Sequence, residues 1–377
     1  MGSLLIYGAY GYTGRLVVRE AIRRGITPVV AGRNEKKVTR QADGLGLDGK
    51  AFDLKSPDLR SHVERFDAVL NCAGPFVDTV DPIVEACLET GTDYLDVTGE
   101  VPVFERLRQR DGDARTAGIT LLPGVGFDVV PTDCLAAFLR EQLPSSDRLT
   151  LGIKAEGLPS RGTARTLLEL AGDGGVVRRN GRLVNVPAAF RSREIDFGHG
   201  PEHAVTIPLG DVVTAAWNTD LESVEVYAAM HPLAARALSA ADSLAGLLAI
   251  PPIETAAKRL IDIAIDGPGE RRRSEDRIVV WGEVVDESAA DGGRRASARL
   301  ETPNVYDLTA ETAAAAAERV LEGRNRTDRE RIPPGFQTPA AAFGPDFVLE
   351  FDGVDRELLE GFDEGSEPDR SSGDTEP

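Results

Sequence analysis

Through the first third of the chain, short apolar runs alternate with stretches of helical periodicity. The runs at residues 3–7, 27–31, 51–52, 68–71, 94–96 and 120–122 are predicted strands, since each is brief, apolar and ends in or near Gly, Asp or Asn. Helical segments lie between them, such as residues 13–24, where Val17 and Ala21, and Val18 and Ile22, recur four residues apart. This alternation predicts β-α-β units around a parallel sheet, an α/β fold of the doubly wound Rossmann type.

From about Pro131 the pattern changes to longer strands, with a polar Gly-rich stretch at residues 172–180. The apolar run at 233–250 is interrupted by Arg236 and Asp242 and stopped by Pro251-Pro252, so a buried or interface helix is expected there, with no transmembrane span. Peripheral membrane contact is the alternative for that run. Residues 278–286 and 295–301 read as two strands joined by a polar loop at 288–294, and 309–322 as an alanine-rich helix with Thr309 as N-cap and Glu311 in its first turn. After Phe351 the chain becomes acidic and rich in Ser, Gly and Pro, which predicts disorder.

Composition narrows the partners. The 377 residues suffice for two domains, and the net charge of -19 argues against nucleic acid, which calls for a basic face. Arginine supplies most of the positive charge, a balance that suits either a salt-adapted, halophilic cytoplasm or a plain solubility surface. Cys72, Cys87 and Cys134 are odd in number and sit among apolar neighbours, which predicts neither a disulfide framework nor a zinc site. His199 and His203 have a metal-compatible spacing but no further ligand cluster, so no metal is expected. A cytoplasmic location is expected, because the N-terminus opens on a strand rather than on a secretion signal.

The strongest chemical signal is Gly8-Ala9-Tyr10-Gly11-Tyr12-Thr13-Gly14, directly after the first strand and at the start of the first helix. In that context Gly8 allows a tight turn, Gly11 a close approach of backbone to pyrophosphate, and Gly14 close packing of helix on strand. Gly8, Tyr10, Gly11, Tyr12, Thr13 and Gly14 are therefore candidate cofactor contacts. The second strand runs into Gly32-Arg33-Asn34 where an NAD-binding domain usually carries an acidic residue. A guanidinium at Arg33 suits a 2'-phosphate, so NADP is favoured over NAD, with Glu35 as the contesting residue. Asn34 joins the cofactor set. Asp53 reads either as a contact to the adenine amine or as a strand-end cap.

Three further segments follow strands: Asn71-Cys72-Ala73-Gly74-Pro75-Phe76, Asp96-Val97-Thr98-Gly99-Glu100, and residues 124–133 with Gly124, Gly126, Asp128, Pro131 and Asp133. Together with the first glycine motif they resemble the saccharopine dehydrogenase-like oxidoreductases, and within them the branch similar to the mycobacterial trans-acting enoyl reductases. The resemblance covers residues 1–135 and resumes at 160–163, 302–306 and 338–340. It implies a Rossmann domain at 1–131, an α+β substrate or dimerisation domain at 132–301, and a segment 302–351 whose helix returns to the first domain; composition marks 352–377 as the disordered tail. It also implies that Ala73, Gly74, Pro75 and Phe76 lie by the cofactor ribose and nicotinamide, with Thr98 and Gly99 close by.

The expected activity is NADP(H)-dependent reduction of a C=C (enoyl) bond in a small, lipid-like substrate, with a homodimer through the second-domain sheet. A saccharopine-type C=N reductase and a non-catalytic NADP(H) sensor or scaffold are the alternatives. Hydride comes from the cofactor, so the protein must orient substrate and handle a proton. Asp128 and Glu100 are the catalytic candidates, with Asp96 and Tyr94 as further polar groups nearby. Asp128, Thr132 and Asp133 also fit a helix N-cap. Arg161 reads either as an anion contact or as a surface salt bridge. A short-chain dehydrogenase is disfavoured because no Tyr is followed four residues later by Lys, and Cys72 and Cys134 read as core residues rather than nucleophiles.

Overall fold

The computed structural model describes residues 2–155, 174–243, 277–288, 293–324 and 332–361. In chain order the first unit comprises β1 (Leu4–Tyr7), α1 (Tyr12–Arg23), β2 (Val29–Gly32), α2 (Glu35–Leu45), β3 (Gly49–Ala51), α3 (Leu59–Val63), β4 (Ala68–Asn71), α4 (Phe76–Thr90), β5 (Asp93–Asp96), α5 (Val101–Gln109), α6 (Asp111–Ala117) and β6 (Thr120–Leu122). Its strands pair in parallel in the order β6-β5-β4-β1-β2-β3. Strands β1, β4 and β6 are buried along their whole length, as expected for a sheet covered on both faces. The order reverses between β1 and β4, the switch point at which open α/β sheets open a crevice beyond their carboxyl ends.

α7 (Val130–Gln142) leads into a second, mixed sheet built from β7 (Arg148–Ala155), β8 (Gly175–Arg179), β9 (Arg182–Val186), β10 (Ser192–Asp196), β11 (Pro201–Thr206), α8 (Asp211–Thr219), β12 (Ser223–Ala229), α9 (Pro232–Ser243), β13 (Ile278–Asp286) and β14 (Arg294–Thr302). A Cβ on Gly282 would stand 2.7 Å from Cδ1 of Leu139, so glycine on β13 is what lets α7 lie close on this sheet. Strands β13 and β14 pair in continuous antiparallel register from Ile278↔Thr302 to Asp286↔Arg294. Residues 289–292 of the loop between them lie outside the described residues, as do Arg161, residues 160–163, residues 172–173 before β8, and the second part of the 233–250 run. No helix among the described residues is long and apolar enough to cross a membrane.

The chain then returns. α10 (Val305–Arg324) lays a small-residue face, including Ala310, Ala313 and Ala317, into the same core cluster as Val17, Val18 and Ala21 of α1. β15 (Gly335–Phe336) extends the first sheet beside β6, α11 (Pro339–Phe343) packs on α7, and β16 (Asp355–Glu360) pairs with β14. Two expectations are corrected here. Thr309 is not the cap of α10: the helix starts a turn earlier, where Asn304 Oδ1 accepts from the amides of Tyr306 and Asp307, both at 3.1 Å. Thr309 instead accepts a hydrogen bond from the Phe127 amide at 3.0 Å. Residues 355–360, expected within a disordered tail, are ordered by strand pairing and by ion pairs such as Arg299–Glu357 at 2.6 Å. Residues 362–377 lie outside the described residues.

Arg324 locks the returning helix to the sheet. Its guanidinium donates to the carbonyls of Asp67 and Gly91, both at 2.7 Å, and to Asp93 Oδ2 at 2.9 Å, on a side chain that is 2% exposed. Arg324→Ala strips the cation from a buried carboxylate and is expected to cost about 3 kcal/mol in urea unfolding. A loss below about 1 kcal/mol would show that the return of α10 does not depend on this clamp.

Candidate functional site

The loops after β1 and β4 occupy one space. Gly8 has φ +79°, and a Cβ there would stand 2.7 Å from the Ala73 amide nitrogen and 2.8 Å from the Cys72 carbonyl carbon. A Cβ on Gly14 would stand 2.4 Å from the carbonyl oxygen of Gly8. Glycine at these two positions therefore lets the β1 loop approach the β4 loop and lets α1 pack beneath it. Gly11 caps α1 in extended backbone with no side chain over the helix end. The first-turn amides of a helix have no intrahelical acceptors and carry its positive partial charge. A glycine-lined cradle in front of such a turn fits the pyrophosphate of a dinucleotide.

The loop after β2 lies beside this cradle. The Tyr10 ring covers Gly32, where a Cβ would be 2.5 Å from Cε1, and the Tyr10 hydroxyl accepts from the Asn34 amide at 3.3 Å. Asn34 caps α2 by accepting from the Lys37 amide at 3.1 Å, so its side-chain oxygen serves the helix. Asp53 likewise accepts from the Lys55 amide at 2.9 Å. Arg33 is exposed, and Asp53, Tyr10 and Arg33 all act electrostatically on the Tyr7 hydroxyl, whose pKa burial raises to about 12. Tyr12 is exposed at the start of α1 and meets the Tyr306 ring edge-on at 4.8 Å, while Thr13 beside it is half-buried.

Beyond β4 and β5 lies a buried polar network. Asn71 donates to Thr79 Oγ1 and accepts from the Ala73 amide, both at 3.0 Å. The Tyr94 hydroxyl donates to Asp96 Oδ2 at 2.8 Å, while Asp96 Oδ1 accepts from the amides of Thr98 at 3.0 Å and Gly124 at 2.9 Å. Burial nonetheless raises the Asp96 carboxyl to about 6. These bonds fix three loops against one another, with Gly74 and Pro75 exposed and Phe76 half-buried. Thr98 Oγ1 accepts from the Glu100 amide at 3.0 Å. The Glu100 carboxylate takes the amides of Phe76 at 2.8 Å and Val77 at 2.9 Å, the first turn of α4. Both oxygens are thus committed to holding the β4 loop, which makes Glu100 a positioning residue.

Asp128 is placed differently. The start of α7 shows no side-chain cap, so Asp128 is not committed there; Thr132 donates back to the Val129 carbonyl, and Asp133 accepts from the Ala340 amide at 2.7 Å. Asp128 lies over Gly99, where a Cβ would meet its Cβ and Oδ2 at 3.0 Å. It is exposed to solvent, and desolvation by the protein around it raises its carboxyl to about 6. The three thiols also have raised pKa values through burial, which argues against a cysteine nucleophile.

A group that sequence reading passed over lies behind Asp128. Asp211, the first residue of α8, is fully buried against α7, and burial raises its carboxyl to about 8, with the nearby charges of Asp133 and Asp128 adding to the rise. Both its oxygens, together with Asp133 Oδ1, Thr214 Oγ1 and Asn218 Nδ2, have no hydrogen-bond partner among the described residues. The Thr132 hydroxyl near Asp211, and the Asn218 amide near Asp133, stand close enough to lower these pKa values but outside hydrogen-bond geometry. The signal was present in the sequence: Asp211, Thr214 and Asn218 are polar positions on one face of an otherwise apolar helix.

Residues 4–122 match the family model of the saccharopine dehydrogenase NADP binding domain. Among curated relatives, a saccharopine dehydrogenase-like oxidoreductase of Arabidopsis thaliana is 33% identical over 158 residues, covering 37% of this chain and 35% of that protein. The Bos taurus saccharopine dehydrogenase-like oxidoreductase is 28% identical over 186 residues, covering 41% of this chain and 42% of its own. A Mycobacterium tuberculosis protein named for trans-acting enoyl reduction is 31% identical over 141 residues, covering 35% and 33%. These matches span less than half the length of each relative. The apo saccharopine dehydrogenase (L-Glu forming) of Saccharomyces cerevisiae shares the fold over 96% of this chain and 100% of its own, with a TM-score of 0.65 at 12% identity.

The Asp211 carboxyl gives a pH test. Its folded pKa of about 8 lies above the unfolded value of about 3.9, so its contribution is complete below pH 4 and is lost as pH rises to 8. Asp211→Asn removes that loss. The stability of the variant relative to the native chain should therefore rise between pH 4 and pH 8, by at most about 1.4 kcal/mol per pH unit, and level off above. Parallel melting curves across that range would show that Asp211 is ionised in the fold.

Proposed function

We propose, from the match of residues 4–122 to the saccharopine dehydrogenase NADP binding domain, that this chain is an NADP(H)-dependent reductase acting on a C=C bond of a lipid-like substrate. The observation that carries this reading is the glycine cradle at the β1/β4 switch point, with Arg33 exposed at the end of β2 and Asp128 exposed over Gly99. Gly8, Gly11 and Gly14 would hold the pyrophosphate, and Arg33 the 2'-phosphate. Tyr10, Tyr12, Thr13, Asn34 and Asp53 frame the adenosine half, and Ala73, Gly74, Pro75, Phe76, Thr98 and Gly99 the nicotinamide half. The cofactor, when bound, supplies a hydride.

The remaining demand is a proton. Asp128 holds it on a carboxyl whose raised pKa, about 6, lets it carry and release a proton near neutrality. Burial is the cause of that rise, with no cation offsetting it among the described residues, which favours an uncharged reacting centre over an amino-diacid. The name of the mycobacterial relative supports an enoyl substrate in the same direction. Glu100 and Asp96 act through the loops they hold. A saccharopine-type C=N reductase is the alternative reading, and the proposal includes a homodimer and a cytoplasmic location.

Arg33→Ala should weaken NADPH at least tenfold in fluorescence titration while leaving NADH unchanged; equal loss of both cofactors would sink the 2'-phosphate assignment. Asp128→Asn should lower the rate of NADPH oxidation on enoyl substrates by about 10²- to 10⁴-fold with NADPH affinity retained. An unchanged rate would remove Asp128 from the chemistry. Stoichiometric NADPH binding by the native chain, with no oxidation across enoyl and imine substrates, would leave the sensor or scaffold reading.

A further inference from the structure

The returning helix α10 reaches the glycine cradle as well as the sheet. It lies on the face of the first sheet that α1 covers, sharing one core cluster with Leu70 of β4, Leu95 of β5 and Leu122 of β6. α1 and α10 run in the same direction and in step. Tyr12 and Tyr306 meet in the first turn of each helix, and twelve positions further along both, Arg24 pairs with Glu318 at 3.1 Å. Both helices therefore begin level with the carboxyl ends of the parallel strands, α1 beside β1 and α10 beside β4 and β5.

The start of α10 also holds the loop that carries Asp128. Thr309 Oγ1 accepts from the Phe127 amide at 3.0 Å, and Thr312 Oγ1 donates to the Val125 carbonyl at 2.8 Å. Gly126 between them is packed so closely that a Cβ would stand 3.0 Å from Cγ2 of Thr309 and 3.3 Å from Cβ of Val97. The first turns of α10 thus stand between the glycine cradle on one side and the Asp128 loop on the other. The first amides of α10 are occupied, because Asn304 Oδ1 accepts from Tyr306 and Asp307. A contribution of α10 to ligand binding therefore falls to a side chain rather than to the helix terminus.

Tyr306 is placed for it. Tyr12 is 44% exposed and Tyr306 38% exposed, and among the described residues they are the two exposed aromatic side chains. Their rings meet edge-on at 4.8 Å, next to Gly11 at the head of α1. Two touching rings open to solvent beside a backbone cradle offer apolar area for a ligand to cover.

We propose that Tyr306 is a cofactor-contacting residue, its ring packed over the pyrophosphate on the nicotinamide side and meeting Tyr12 from the adenosine side. The side follows from the strands, since α10 covers β4 and β5 while the loop bearing Tyr10 leans on β2. This inference rests on the dinucleotide reading of the cradle and on no particular reaction.

Tyrosine nitration of the full native chain, mapped by peptide mass spectrometry, tests the contact without a substitution. Saturating NADPH should slow modification of Tyr306 several-fold, whereas 2',5'-ADP, which lacks the nicotinamide ribose and its phosphate, should leave it unchanged. In isothermal titration Tyr306→Ala should weaken NADPH about tenfold and leave 2',5'-ADP unchanged, with Tyr306→Phe keeping the native NADPH affinity. The nitration result stands should Tyr306→Ala not fold. NADPH binding that leaves Tyr306 unprotected, or equal NADPH affinity in the native and Tyr306→Ala chains, would overturn the contact while leaving the cradle reading intact. Loss of 2',5'-ADP affinity equal to that of NADPH, or the same loss in Tyr306→Phe, would overturn the placement of the ring. Failure of the native chain to bind NADPH would overturn the dinucleotide reading and this inference with it.

Discussion

The rest of the site depends on a space that no side chain may enter. Where β1 and β4 diverge, the Gly8 Cα and the Ala73 backbone stand so close that a Cβ would fall 2.7 Å from an amide nitrogen. Because these two loops touch, the other parts follow: α1 starts directly below the cradle, Asn71 ties down the Ala73 amide, and Glu100 grips the next two free amides at the start of α4. Asp96 then bridges the Thr98 and Gly124 amides, which brings the loop bearing Gly99 under Asp128. Backbone contact at the switch point is thus connected, through hydrogen bonds and close packing, to the Asp128 carboxyl.

Local signals in the sequence carried the parallel sheet and the cradle. Residues 68–71 and 120–122 are strands as read, because buried parallel strands are short unbroken apolar runs between punctuating residues. β2 begins at Val29 rather than at Thr27, since Pro28 has no N–H to give a ladder. What was not legible is what depends on distant partners. Thr309 has the composition of a cap, but its hydroxyl meets an amide 182 positions earlier in the chain. β15, two residues long, has no periodicity to read and exists through its pairing with β6. Glu100 and Asp128 looked equivalent as carboxylates after strands; only the fold shows one closed by two amides and the other exposed to solvent.

Burial, rather than charge pairing, governs the acids around the crevice. Asp96, Asp128 and Asp133 are each raised to about 6 and Asp211 to about 8, with burial the leading cause in all four. Desolvation of a carboxyl favours its neutral form. The cations gather elsewhere: Arg33 stands exposed at the end of β2, Arg324 clamps the returning helix, and Arg179 and Arg191 pair with Glu225 on the second sheet. The acidic excess of the chain therefore does not describe its sites, where charge is placed locally and by sign.

The central claim is that the crevice at the switch point selects a dinucleotide through its 2'-phosphate. Equilibrium titration of the native full chain with NADPH and with NADH, followed by nicotinamide fluorescence, tests it most directly. One equivalent of NADPH should bind at least tenfold more tightly than NADH, a difference of about 1.4 kcal/mol. Equal affinity, preference for NADH, or no binding of either would contradict the account.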